Sequence, residues 1–173
     1  MEDRVLEEVK EIARERYPKV FIRKKVKKVV EKVEYLLDYY PEASGNCVKA
    51  AAWLQFYIHP RFGYSGDRQN IAAAHKASSI LQELGVSSKD INKVSRAIRA
   101  HRIKGVPYPE KLESKILFSA NYMAGTSVQT LFGRVVDEKE EDKIKKKYIL
   151  PEAGSRYEMD KIDRLKEKYG SDD

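Results

Sequence analysis

The chain has 173 residues, of which 35% are charged, and it carries a formal net charge of +7 with a pI near 9.3. This length fits one domain with a single core, and no apolar run approaches the roughly 18 residues that a membrane span requires. The start, Met1-Glu-Asp-Arg-Val5, lacks the apolar stretch of a signal peptide, so we expect a cytoplasmic protein without a membrane partner. The positive net charge permits a phosphate-bearing partner without requiring one. A composition rich in Lys and Glu also occurs in proteins from very hot environments.

Apolar residues recur with the period of an α-helix along almost the whole chain, which predicts an all-α protein. Pro18, Pro60 and Gly85 mark helix ends, and Ser87-Ser-Lys-Asp90 has the pattern of a capping box. Residues 126–136 add a weaker helix, the charged run 137–147 reads as an exposed helix or linker, and 158–169 form a last amphipathic segment. The main predicted helices span 2–16, 19–39, 47–58, 69–84, 88–102 and 110–124.

The helix predicted over 47–58 is apolar nearly all the way round, which places it in the middle of the domain. Its Cys47 is the only cysteine of the chain and is predicted to be a small core residue. Gln55 does not fit such surroundings, because a buried amide without hydrogen-bond partners costs about 1 to 3 kcal/mol. Gln55 therefore indicates either a pocket or a local polar contact.

Three histidines, His59, His75 and His101, lie in or beside consecutive predicted helices. Imidazole binds zinc and several transition metals, so a three-histidine site is chemically feasible. The spacing supports nothing specific, because no HExxH, no CxxC and no carboxylate pair on one helix face accompanies it. The sequence also has no Gly-rich phosphate loop and no GxSxG motif.

Five predicted helical stretches follow one another along the chain. Two of them contain distinctive motifs, which are Ala-Ile-Arg-x-His-Arg at 97–102 and Lys-Ile-Leu-x-x-Ala at 115–120. In that order the stretches resemble the helices of the HD-domain metal-dependent phosphohydrolase superfamily, over residues 22–124. The resemblance implies an HD-like helical domain over 19–136, with an N-terminal helix (1–18) packed on it and a charged C-terminal extension (137–173). The stretches are Lys25–Leu36, Ala51–Phe56, His75–Leu81, Ala97–Arg102 and Glu113–Met123.

The resemblance also implies that the family's metal ligands are replaced in this chain. The first histidine of the family falls on Lys25, its His-Asp pair on Gln55-Phe56, and its last aspartate on Asn121. A register that matched the pair to His59-Pro60 would displace the Ala-Ala-x-Leu framework. Lysine repels a cation, phenylalanine cannot ligate, and neutral amides are weak ligands. We therefore expect a catalytically degenerate member with no metal and no cofactor.

Two groups of residues are candidates for binding. Around the remnant cavity of the family's site, Lys25 would replace the cation and hold an anion with Gln55, His75, His101 and Asn121, or these groups would satisfy one another in a closed site. On the surface, two basic stripes would contact phosphates, although lysines on helix faces are often only solvated. The stripes consist of Lys24, Lys27 and Lys28, and of Lys93, Arg96, Arg99, Arg102 and Lys104.

From these observations we expect a protein that binds a phosphate-bearing ligand, a nucleotide or nucleic acid, without hydrolysing it. One alternative is a metal-dependent phosphohydrolase that acts on nucleotides through His59, His75 and His101. The other is an interaction module that assembles with itself or with a protein partner through an apolar patch on the N-terminal helix or on 126–136.

Overall fold

A computed structural model of the chain describes residues 1–58, 69–101, 108–126 and 137–159. Within these ranges the regular structure is helical and contains no strand, as the apolar period predicts. None of the described helices is long and apolar enough to cross a bilayer. The elements are α1 (Asp3–Arg16), α2 (Lys19–Phe21), a π-helical turn (Ile22–Val26), α3 (Lys27–Tyr39), α4 (Gly45–Leu54), α5 (Gln69–Glu83), α6 (Ser88–Ala100), α7 (Leu112–Met123), α8 (Glu138–Tyr148) and a final helical stretch at 151–159.

Helix α4 is the central helix of the fold, as its composition predicts. It packs against α1, α3, α5, α6 and α7, and seven of its ten residues are buried. The predicted C-terminal end was wrong, because the helix stops at Leu54 rather than at residue 58. After Leu54 the backbone forms a tighter turn, in which Tyr57 N donates to Leu54 O, three residues earlier, at 3.0 Å. Beyond this turn, the rings of Phe56 and Tyr57 meet those of Phe21 and Tyr17 edge to face instead of extending the helix.

The first helix lies on this centre. The apolar face of α1, formed by Val5, Leu6, Val9 and Ala13, is buried, and α1 contacts α4. Just beyond α1, the Tyr17 hydroxyl donates to Trp53 O at 2.8 Å. The apolar face of α1 is therefore already covered, and it does not offer the exposed patch that an interaction module would need.

The turn between α5 and α6 has the geometry that its residues predict. Gly85 adopts φ +72°, and Val86 N donates back to Leu81 O at 3.0 Å, which closes the C-terminal end of α5. Two residues later the Ser87 side chain accepts from Asp90 N at 3.3 Å, so it caps α6. Both boundaries are thus determined by local backbone chemistry.

Residues 137–159 form part of the same core, which differs from a charged extension that starts at 137. Helix α8 is charged on its outer side but buries Ile144 and Tyr148. Leu150 N donates to the Ser119 hydroxyl at 2.9 Å, which ties the segment to α7. The final helical stretch begins at 151, whereas the last amphipathic segment was expected over 158–169. Residues 127–136 of the weaker predicted helix (126–136) and residues 160–169 of that last segment lie outside the described residues. The core residues contributed here are Ile144, Tyr148, Ile149, Leu150 and Ala153.

Candidate functional site

Gln55 and Asn121 form a direct pair in the interior, although 66 residues separate them in the chain. The Asn121 amide donates to Gln55 Oε1 and to Leu117 O, both at 2.9 Å. The Gln55 amide donates to Ala52 O at 3.3 Å. Both side chains are buried. Of the two meanings of Gln55 that the sequence left open, the structure shows the local polar contact, because Gln55 accepts from Asn121 and donates to a main-chain carbonyl.

His101 lies close to the end of α4. It caps the C-terminal end of α6, is 5% exposed, and its Nδ1 is within hydrogen-bond distance of Ile98 O. Its ring meets the edge of Phe56, the neighbour of Gln55, with 6.5 Å between ring centroids. The buried members of the predicted site are therefore Gln55, His101 and Asn121, and His101 contacts Phe56, the residue after Gln55.

Lys25 and His75 do not join this group, because both side chains are exposed. Lys25 belongs to the π-helical turn, whose buried residues are Ile22 and Val26, and His75 lies on the outer side of α5. Among the described residues, Lys25 is therefore not enclosed together with Gln55, His101 and Asn121, as the predicted remnant cavity would require. Among the described residues no three His, Cys, Asp or Glu side chains are close enough to hold a metal ion; His59 lies outside those residues.

Four lysines form an exposed face on the turn and the start of α3: Lys24, Lys25, Lys27 and Lys28, here called the lysine face. Val26 and Val29, which lie between and after them, are buried, so the four ammonium groups share the solvent side. Within the part of the chain that the structure describes, none of the four forms an ion pair. No acidic residue occurs between Glu15 and Glu31.

Several basic residues of α1 and α8 form ion pairs within their own helix. Arg4 pairs with Glu8 at 3.1 Å, Lys10 with Glu7 at 2.6 Å, and Lys145 with Glu141 at 2.8 Å. Such pairs neutralise charge within one helix and are typical of solvated surfaces. Among the described residues, the lysine face contains no such pair, which distinguishes its four lysines from Arg4, Lys10 and Lys145.

The second predicted stripe is only partly a free basic surface. Arg96 is exposed and Arg99 is half-buried. Lys93 donates to the Ser44 hydroxyl and lies 3.9 Å from Asp90, so its ammonium is engaged within the fold. Arg102 and Lys104 lie outside the described residues.

Sequence reasoning missed a polar cluster where α4 begins. Asp90 accepts from the amino group of Met1 at 2.7 Å, and this hydrogen bond is the main reason that the pKa of Asp90 is lowered. Asn46 donates to Met1 O (3.0 Å) and to Asp3 Oδ1 (2.8 Å). The adjacent Cys47 thiol has a pKa raised to about 11, chiefly by burial. These contacts join α1, α4 and α6, and no local sequence pattern announces them.

Comparison with protein-family models, with curated proteins and with solved structures finds no match to this chain.

Proposed function

We propose that this chain is an HD-like protein that binds nucleic acid, or another phosphate-bearing polyanion, through the lysine face and does not hydrolyse it. The observation that carries this proposal is the set of four exposed ammonium groups without an ion pair among the described residues. Like charges three and four residues apart on one helix side destabilise the helix. A phosphate backbone neutralises them and releases its counterions, which favours binding.

The interior supports the non-hydrolysing part of the proposal. In the resemblance to the HD superfamily, Gln55 and Asn121 occupy positions where the family carries metal ligands. Here their amides are bonded to each other and to Ala52 O and Leu117 O. Amides engaged in this way are poor metal ligands. Hydrolysis by the family's route requires a metal that lowers the pKa of the attacking water.

Binding is tested by fluorescence anisotropy at a series of salt concentrations. The probes are labelled single-stranded and double-stranded DNA and RNA. The triple substitution Lys24→Ala, Lys27→Ala and Lys28→Ala should reduce the log–log salt slope by about 2 to 3 if each lysine contacts one phosphate. The matched control is Lys76→Ala, Lys139→Ala and Lys143→Ala, because these lysines are also exposed. Both triples remove three charges, so equal losses in both would show that net charge, not the lysine face, drives binding.

Absence of salt-dependent binding to every probe would contradict the proposed function. Hydrolysis is tested separately, by phosphate release from nucleotides with added Mn²⁺ and by the metal content of the purified protein. Phosphate release that is lost in His101→Ala would favour the enzyme alternative instead. Light scattering reports whether the chain assembles with itself.

A further inference from the structure

A pocket of about 420 Å³ lies between α7, α8 and the final helical stretch, and no residue of the lysine face lines it. Its floor is apolar and includes Ile149 and Leu150, while Tyr122 closes the side toward α7. Pockets of roughly 300 to 1,000 Å³ with an apolar lining and a few polar groups are typical small-molecule sites. We call this feature the Tyr122 pocket.

The pocket owes part of its volume to a glycine in a helix. Gly154 lines the pocket and lies within the helical stretch 151–159. A Cβ placed on Gly154 would meet no atom within 4 Å, so the missing side chain leaves open space. Glycine weakens a helix relative to alanine, and at this position packing does not require it.

Tyr122 supplies an unused hydrogen-bond donor at the same place. Its side chain is 6% exposed, and its ring packs on Tyr157 with 4.4 Å between centroids. Its hydroxyl makes no hydrogen bond to any described residue. Burial raises the pKa of Tyr122 above its ordinary value of 10.0, and the hydroxyl is a protonated donor at neutral pH. The hydroxyl oxygen is not fully enclosed, so it can donate its proton to solvent or to a bound molecule.

The charges at the rim favour an anion. Lys145 and Lys146 line the pocket together with one carboxylate, that of Glu158. Lys146 is exposed and forms no ion pair within the described residues, whereas Lys145 is held by Glu141 at 2.8 Å. Lys146 is therefore the cation that remains available to a ligand.

We propose that the Tyr122 pocket binds a small aromatic anion. The ring lies on the apolar floor beside Gly154, the Tyr122 hydroxyl donates a hydrogen bond to it, and its carboxylate or sulfonate contacts Lys146. This site does not depend on the lysine face, and its occupant need not contain phosphate.

The test is a fluorescence titration of the full chain with 8-anilinonaphthalene-1-sulfonate, which combines an aromatic body with one anionic group. Gly154→Phe should fill the pocket and weaken binding about tenfold or more. Gly154→Ala, which adds only a methyl group, should change the affinity by less than about twofold. Tyr122→Phe removes the hydroxyl and keeps the ring, so affinity should fall about two- to tenfold.

Circular dichroism reports whether each variant is folded. Lys146→Gln changes only the exposed rim and serves as the test if Gly154→Phe does not fold; a fall in affinity of about twofold or more is expected. The proposal is overturned if the wild-type chain does not bind the dye, or if a folded Gly154→Phe binds it as tightly as wild type does. It is also overturned if neither Tyr122→Phe nor Lys146→Gln weakens binding.

Discussion

At the scale of single residues, the informative pair is Gln55 and Asn121. Each amide would be costly alone in the core, and the two are stable there because they bond to each other and to main-chain carbonyls. The pair fastens the end of α4 to α7. The two residues should therefore contribute jointly to the free energy of unfolding. Substituting only one of them should show this, because the other then loses its partner.

Replacing either residue by leucine should leave the other amide without its partner and lower the free energy of unfolding by about 1 to 3 kcal/mol. The double substitution Gln55→Leu with Asn121→Leu should cost clearly less than the sum of the two, because no orphaned amide remains. Urea unfolding of the four proteins measures this coupling. Additive single effects would show that the contact contributes nothing of its own.

At the scale of helices, two glycines allow the same substitution to be compared in opposite backbones. Gly85 adopts φ +72° after α5 and Gly154 lies within a helix, and at both sites an added Cβ meets nothing within 4 Å. Only the backbone conformation therefore distinguishes them. The left-handed conformation disfavours a Cβ, whereas the helix favours one.

Gly85→Ala should therefore destabilise the protein by about 1 to 2 kcal/mol, while Gly154→Ala should stabilise it by about 0.5 to 1 kcal/mol. Thermal unfolding followed by circular dichroism should show melting temperatures that move in opposite directions. A shift of the same sign in both variants would show that the local backbone does not control these positions.

Local chemistry explains how far the helices could be predicted. The α5–α6 boundary follows from Gly85 and the Ser87 cap, which act within a few residues, and the structure confirms both. The end of α4 was missed because the apolar pattern continues through Ile58, while the chain turns at Gln55 to place Phe56 against Phe21 and His101. That choice depends on packing between helices distant in sequence.

At the scale of the whole molecule, residues 137–159 complete the core instead of extending from it. Ile144, Tyr148, Leu150 and Ala153 are buried in the same apolar cluster as α4 and α7. A second link is polar, because the Tyr40 hydroxyl donates to Glu152 Oε2 at 2.6 Å.

A chain that ends at residue 136 should lose on the order of 5 kcal/mol of stability, because it exposes the apolar surface that this segment covers. Denaturant unfolding compares it with a chain that ends at Met159, which keeps every one of these contacts. Equal stability of the two truncated chains would contradict a shared core.

The link through Tyr40 predicts a dependence on high pH. Burial, followed by the hydrogen bond to Glu152, raises the pKa of Tyr40 from 10.0 to about 12. Because the folded pKa is the higher one, the stabilisation is fully present below pH 10.0 and is lost as the pH rises through about 12. The difference in tyrosinate absorbance between wild type and Tyr40→Phe should rise in a single step near pH 12. A difference that titrates near pH 10.0, the unperturbed value, would contradict this link.

The sequence by itself determined the all-α class, most helix positions and the central place of α4, because helical period, caps and glycines act over a few residues. Only the tertiary structure decided which polar groups meet. It paired Gln55 with Asn121, left Lys25 and His75 in solvent, joined 137–159 to the core and opened the pocket beside Gly154. These outcomes depend on contacts between residues far apart in the chain, and composition and spacing do not encode them locally.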